Sequence, residues 1–113
     1  MAGTAEDARL LVQLAQWGAM MGLTDALALV FDEEFDPETA TTNDEGVRVV
    51  VYFAETVGTL VKNDLLNREL LLDWLSVAST WDRVGPAALR AREQYGHPQL
   101  YENFEALAKA QSG

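Results

Sequence analysis

Apolar residues of segment 47–62 recur with the period of an α-helix. They fall at positions 47, 50, 51, 54, 57, 58 and 61, the i, i+3, i+4, i+7 spacing of one helix face. Val49, Phe53 and Leu60 add a second apolar face. A helix that is apolar around most of its circumference is expected to be buried. The pattern therefore predicts a central helix over 47–62, although the β-branched run 49–51 alone would also suit a strand.

Segment 68–82 is predicted to form a second helix, whose apolar residues cover two faces. Asn67 is placed to cap its start, and Glu69 lies in the first turn near the positive end of the helix dipole. The connection to the preceding helix is short, which favours an antiparallel pair. We therefore expect 47–62 and 68–82 to form a helical hairpin at the centre of the molecule.

Turn residues divide the rest of the chain into further helices. Thr4 precedes two acidic residues, as at a helix start, and residues 5–33 then form either two helices meeting at Gly22 or one kinked helix. These features and the hairpin together predict an all-α fold, a compact bundle of five or six helices in a single domain over 1–113.

Proline and glycine mark the predicted boundaries of the second half. Gly85-Pro86 is expected to end the helix 68–82 and to start another one. Gly96 is a predicted C-cap, and Pro98 a predicted start for the last helix, which extends to about residue 110. The final residues, 111–113, are expected to be frayed.

The segment 32–45 is predicted to be an acidic loop. Asp32, Glu34 and Asp36 alternate like the first ligands of a calcium-binding loop. Pro37, however, stands where such a loop needs glycine, and Asn43 stands where it needs glutamate. We therefore predict a solvated acidic connection with no specific metal site.

The charge of the chain restricts its partners. The formal net charge is −10, and most of it lies in residues 1–45. Such a chain is repelled by phosphate backbones and by anionic membranes, so neither nucleic acid nor membrane is an expected partner. The longest apolar run, 10–23, is shorter than the roughly 18 residues of a membrane span. An acidic N-terminus and the lack of cysteine lead us to expect a cytoplasmic protein.

Candidate catalytic chemistry is sparse. His97 is the single histidine, lies between Gly96 and Pro98, and has no phosphate-binding loop or nucleophile motif associated with it. Glu55 and Asp73 are expected to face each other across the hairpin, where an ion pair or a solvated face is the simpler interpretation than an acid–base couple. We expect no cofactor and no metal, and an enzyme ranks third among the hypotheses.

The aromatic residues allow two interpretations. Trp74 and Trp81 are seven residues apart and share one helix face. Together with Trp17, Tyr101 and Phe104 they either pack in the core or line a pocket or a partner surface. Trp and Tyr are enriched at subunit interfaces, which favours a partner surface over a pocket.

Three segments resemble a known family. Residues 55–66, 70–75 with Trp81, and 100–108 are similar to a family of small all-helical bacterial domains of unknown function, mainly actinobacterial. The resemblance covers roughly 47–108. It implies a helical fold and no known activity, substrate or cofactor, so no functional residue is carried over.

The leading hypothesis is a non-catalytic interaction module that forms a homodimer or docks on another protein. The alternative is a small-molecule binder or sensor with a pocket between the hairpin and the C-terminal helix, where Arg48 is a further polar anchor. The predicted contact residues for either function are Tyr52, Glu55, Trp74, Trp81, Tyr101 and Phe104.

Overall fold

The structure, a computed structural model, describes residues 3–113. Within this range the chain forms six α-helices and no strand, so the predicted all-α fold is confirmed. The helices are α1 (Ala5–Met21), α2 (Leu23–Phe31), α3 (Glu45–Lys62), α4 (Arg68–Trp74), α5 (Val77–Tyr95) and α6 (Glu102–Ser112).

The predicted central helix is α3. It packs most extensively against α6 and α2, and eight of its residues are buried. Val57 has no exposed surface, and Val47, Val50 and Val51 are each 1% exposed. Burial of these β-branched side chains on several sides stabilises the helix more than their modest helix propensity costs.

The single helix predicted over 68–82 is wrong. α4 ends at Trp74, Leu75 is extended (φ −115°, ψ 136°), and α5 begins at Val77. With seven residues, α4 is too short to pair with the 18-residue α3 along its length, and α3 packs mainly against α6 and α2 instead. Asn67 caps α4 as predicted, because its side chain accepts a hydrogen bond from the Leu70 N–H at 2.9 Å.

Gln111 of α6 stabilises the break between α4 and α5. Its Oε1 accepts a hydrogen bond from the Ala78 N–H at 2.7 Å. Its Nε2 donates to the carbonyl oxygens of Leu72 and Leu75 at 3.1 and 3.0 Å. These bonds satisfy backbone groups that the interrupted helix leaves without intrahelical partners. Gln111 lies within α6, which extends to Ser112.

α5 continues through Gly85-Pro86, where a helix boundary was predicted. Pro86 has no N–H to donate within the helix. The helix persists because Val84, Ala87 and Ala88 on either side are buried, with at most 2% exposure. Gly85 leaves room for the indole of Trp81: a Cβ there would lie 2.8 Å from Trp81 Cε2.

Local backbone geometry also sets the end of α5 and the start of α6. α5 ends at Gly96, in the left-handed region (φ 63°), as predicted. α6 begins at Glu102 instead of near Pro98, since Tyr101 is itself left-handed (φ 63°) and residues 98–101 form turns.

Residues 5–31 form two helices that are bent by 70° at Gly22 (φ 82°). Thr4 caps α1 in a reciprocal capping box with Asp7, which confirms the predicted start. In the described part of the chain, no helix taken singly has the length and apolarity to cross a membrane. Only the bent pair α1 and α2, taken together, meets that criterion by length and composition.

The acidic loop between α2 and α3 is held by α5. The Arg83 guanidinium donates to the carbonyl oxygens of Val30 and Asp32 at 2.7 and 2.9 Å, and its carbon lies 5.1 Å from the centre of the Phe35 ring. Arg90 donates to the carbonyl oxygens of Pro37 and Ala40. The arginines thus bind the loop through its backbone.

Candidate functional site

Four aromatic rings form a continuous chain across α1, α3 and α4. The Trp17 ring centre lies 6.1 Å from that of Tyr52 and 5.3 Å from that of Phe53. The Phe53 and Trp74 ring centres are 6.3 Å apart, in an edge-to-face arrangement. Aromatic pairs at these separations attract each other beyond their buried area. Trp17 therefore connects α1 to the core.

One end of this chain is exposed. Phe53 is 2% exposed, whereas Tyr52 is 61% exposed and Trp17 is half-buried. Met20 follows Trp17 by three residues, lies beside it on the surface of α1 and is 86% exposed. We refer to Trp17, Met20 and Tyr52 as the aromatic surface. Met, Trp and Tyr are residue types enriched in protein interfaces.

The exposure of this surface follows from the light packing of α1. Of its 17 residues, Leu14 and Gly18 are buried. Val12 is 56% exposed. Residues 10–24 contain no charged side chain, so the helix face that solvent meets is apolar or uncharged. This face contrasts with a chain whose net charge is −10.

Glu55 binds α6 and does not pair with Asp73 as predicted. Its Oε1 accepts a hydrogen bond from the Phe104 N–H, and its Oε2 accepts one from Asn103 Nδ2, both at 2.9 Å. Within residues 3–113, no hydrogen bond or ion pair joins Glu55 to Asp73. Asp73 is exposed near the end of the short helix α4.

Trp81, Tyr101 and Phe104 belong to a different part of the fold. The rings of Trp81 and Phe104 meet edge to face at 4.9 Å, and Phe104 has no exposed surface. Burial raises the pKa of the half-buried Tyr101, and Tyr95 and Glu55 add to the increase. Of the predicted contact residues, Tyr52 lies on the aromatic surface and Trp74 lies at the inner end of the ring chain. Glu55 of α3 and Trp81 of α5 contact Phe104 of α6, and Tyr101 directly precedes α6.

The predicted pocket between α3 and α6 is closed by direct packing. A Cβ on Gly58 would lie 2.7 Å from the carbonyl oxygen of Asn103, so the two backbones are in contact. An open groove of about 1280 Å³ lies elsewhere, between the start of α1 and the α3–α4 connection. A hydrogen bond from the Asn67 N–H to Asp7 Oδ1, at 3.0 Å, joins the two sides of this groove. Residues 3–113 contain no group of three or more His, Asp or Glu side chains placed to hold a metal ion.

Comparison with protein families gives one match. The model of a domain of unknown function, DUF4760, matches residues 4–111. The chain belongs to the DUF4760 family. This DUF4760 match runs from the cap of α1 to Gln111 and so includes the aromatic surface. Neither the curated proteins nor the solved structures include a match to the chain.

In this DUF4760 domain, the proximity of Trp17 and Met20 on one exposed surface was not predicted from the sequence. The predicted grouping of Trp17 with Trp74 is confirmed, because both rings contact Phe53. Trp81, predicted to lie with them, contacts Phe104 of α6 instead. Met20 was not singled out. The uncharged run 10–24 indicates an apolar exposed surface on α1, because an exposed helix usually carries charges on its outer face.

Proposed function

We propose that this DUF4760 chain is a non-catalytic interaction module that pairs with a second copy of itself through the aromatic surface. The observation that carries the proposal is the exposure of Met20 (86%) and Tyr52 (61%) around a half-buried Trp17. A Trp surrounded by such residues is typical of the centre of an interface.

Charge limits the surface at which a second copy can dock. Two chains with a net charge of −10 repel each other over most of their surfaces. Residues 10–24 carry no charge, so self-association at α1 brings apolar side chains together without burying a carboxylate. Arg48 lies one helical turn before Tyr52 and is exposed, which places a cation at the rim of the surface.

A cytoplasmic location and a bacterial, mainly actinobacterial, family distribution are part of the same proposal. The acidic composition without cysteine supports the location. The resemblance of segments 55–66, 70–75 and 100–108 supports the distribution.

Light scattering after size exclusion tests the proposal with a matched pair of variants. Met20→Glu places a charge in the aromatic surface, whereas Leu89→Glu adds the same charge at a residue of α5 that is 44% exposed. We expect a dimer for the unmodified chain and for Leu89→Glu, and a monomer for Met20→Glu, because dimerisation would bury the new carboxylate. Equal masses for the two variants would contradict the assignment of the surface.

A further inference from the structure

Gly22 is a one-residue hinge between two helices. It ends α1 in the left-handed conformation (φ 82°), and α2 begins at the next residue. The bend between the helices is 70°. A Cβ at Gly22 would meet no atom within 4 Å, so a side chain fits there and only the left-handed backbone conformation opposes it.

Few contacts hold α1 on the rest of the molecule. Its fully buried residues are Leu14 and Gly18, whereas Leu10, Trp17 and Met21 are only partly buried where α1 meets α2 and α3. At its start, the Asp7 carboxylate is tied to the Asn67 N–H at 3.0 Å. An element with little buried apolar surface detaches at low cost in free energy.

A change of Gly22 from left-handed to helical geometry would join α1 and α2. The result is one helix over residues 5–31, with a length of about 40 Å at the usual rise per residue. In this form α1 points away from its own core and leaves its docking site on α3 and α4 open.

We propose that two copies of the chain exchange α1 in this way, each helix docking on the core of the other copy. The inference rests on the homodimer proposed above and specifies how it forms. The hydrogen bond of Asp7 and the ring contacts of Trp17 are remade between chains, whereas the packing of Gly18 against Leu23 across the bend is lost. Short hinges that store a bend favour such exchange. Met20, two residues before the hinge, then lies beside the second copy.

A disulfide distinguishes exchanged from unexchanged chains. An added Cβ at Gly3 would lie 3.7 Å from the Asn67 Cβ, within the range of about 3.5–4.5 Å found in disulfides. The chain has no other cysteine, so the double variant Gly3→Cys/Asn67→Cys can form one kind of bond. Oxidised protein is analysed by light scattering and by denaturing electrophoresis without reductant.

The exchange predicts a dimer in both measurements, because the bond then joins two chains. A dimer by light scattering that runs as a single chain on the gel overturns the exchange and leaves the homodimer standing. A monomer in both measurements overturns the homodimer as well. Reduction of the sample, which must return the gel band to a single chain, controls for aggregation.

The hinge is tested by a second pair of variants. Gly22→Ala and Gly96→Ala both place a side chain at a left-handed C-cap with open space around it. Alanine disfavours that conformation equally at both positions, but only at Gly22 does a helix follow directly. We expect Gly22→Ala to tighten dimerisation by at least about tenfold relative to Gly96→Ala. Equal dimerisation constants for the two folded variants would overturn the hinge.

Discussion

Glu55 of α3 caps the start of α6 through a hydrogen bond from the backbone N–H of Phe104 to its Oε1 at 2.9 Å. The second carboxylate oxygen binds Asn103 Nδ2 at the same distance. N-terminal N–H groups of a helix lack intrahelical partners and attract negative charge. Glu55 is therefore a structural residue that fixes α6 on the central helix.

Removal of this carboxylate is expected to destabilise the fold. Glu55→Ala leaves the N–H of the buried Phe104 without a partner and should lower the free energy of unfolding by about 1–3 kcal/mol. Glu55→Gln keeps an acceptor and loses the charge, with an expected loss of about 0.3–1 kcal/mol. Urea unfolding measures both. Glu102→Ala, at a 4.0 Å ion pair between exposed groups, is the control and should change little.

A methyl group at Gly58 is expected to separate α3 from α6. The added Cβ would lie 2.7 Å from the Asn103 carbonyl oxygen, and a backbone atom cannot move aside cheaply. Gly58→Ala should cost about 1–3 kcal/mol in the free energy of unfolding. Gly46→Ala on the same helix meets Leu29 Cβ at 3.2 Å, a smaller overlap than at Gly58, and should cost less. An equal loss for both variants would refute the close backbone contact.

The helical period predicts α3 well because the signal is local and repeated. The structure begins α3 at Glu45 instead of Val47 and ends it at Lys62 as expected. The break after Trp74 has no comparable local signal: its free backbone groups are satisfied by Gln111, more than 30 residues away. The local rule that proline ends helices failed at Pro86 because buried neighbours on both sides retain the helix.

The candidate site was predictable only in part, for a related reason. Tyr52 stands on the polar stripe of α3, so its exposure follows from the sequence pattern. The exposure of Met20 depends on how few helices pack against α1, which is a property of the tertiary structure. The partner of Glu55 was likewise unpredictable, since it depends on the left-handed Tyr101 that sets the start of α6.

Low pH is expected to weaken the hydrogen bond by which Asp7 of α1 holds Asn67, the cap residue of α4. Hydrogen bonds from the Thr4 N–H and hydroxyl, and then from the Asn67 N–H, hold the pKa of Asp7 below its ordinary value of 3.8. A depressed folded-state pKa contributes stability above the unfolded value, and this stability is lost as pH falls through the folded pKa.

The corresponding test compares the chain with Asp7→Asn between neutral pH and pH 2. The unmodified chain should be more stable at neutral pH, and the difference should shrink below pH 3.8 as Asp7 becomes protonated. Direct titration of the Asp7 carboxyl group by NMR gives the pKa itself. A titration at or above the ordinary aspartate value would contradict the capping assignment.

Replacement of Arg83 by lysine is expected to destabilise the fold. Its guanidinium donates from two nitrogens to the carbonyl oxygens of Val30, Asp32 and Phe35, a geometry that an ammonium cannot reproduce. Arg83→Lys should cost about 1–3 kcal/mol and accelerate amide hydrogen exchange in residues 35–40. Arg48→Lys is the matched control, because the Arg48 side chain is exposed and makes no hydrogen bond or ion pair within residues 3–113. Equal exchange rates would contradict the role of Arg83.

Sedimentation equilibrium of the unmodified chain tests self-association most directly. The chain has a mass of 12.4 kDa. A reversible homodimer through α1 predicts an average mass that rises with concentration toward twice this value and then stops. The association should weaken in Met20→Glu and remain unchanged in Leu89→Glu. At roughly millimolar concentration even a weak association of about 4 kcal/mol would be populated. A constant mass of 12.4 kDa up to that concentration would therefore contradict the homodimer.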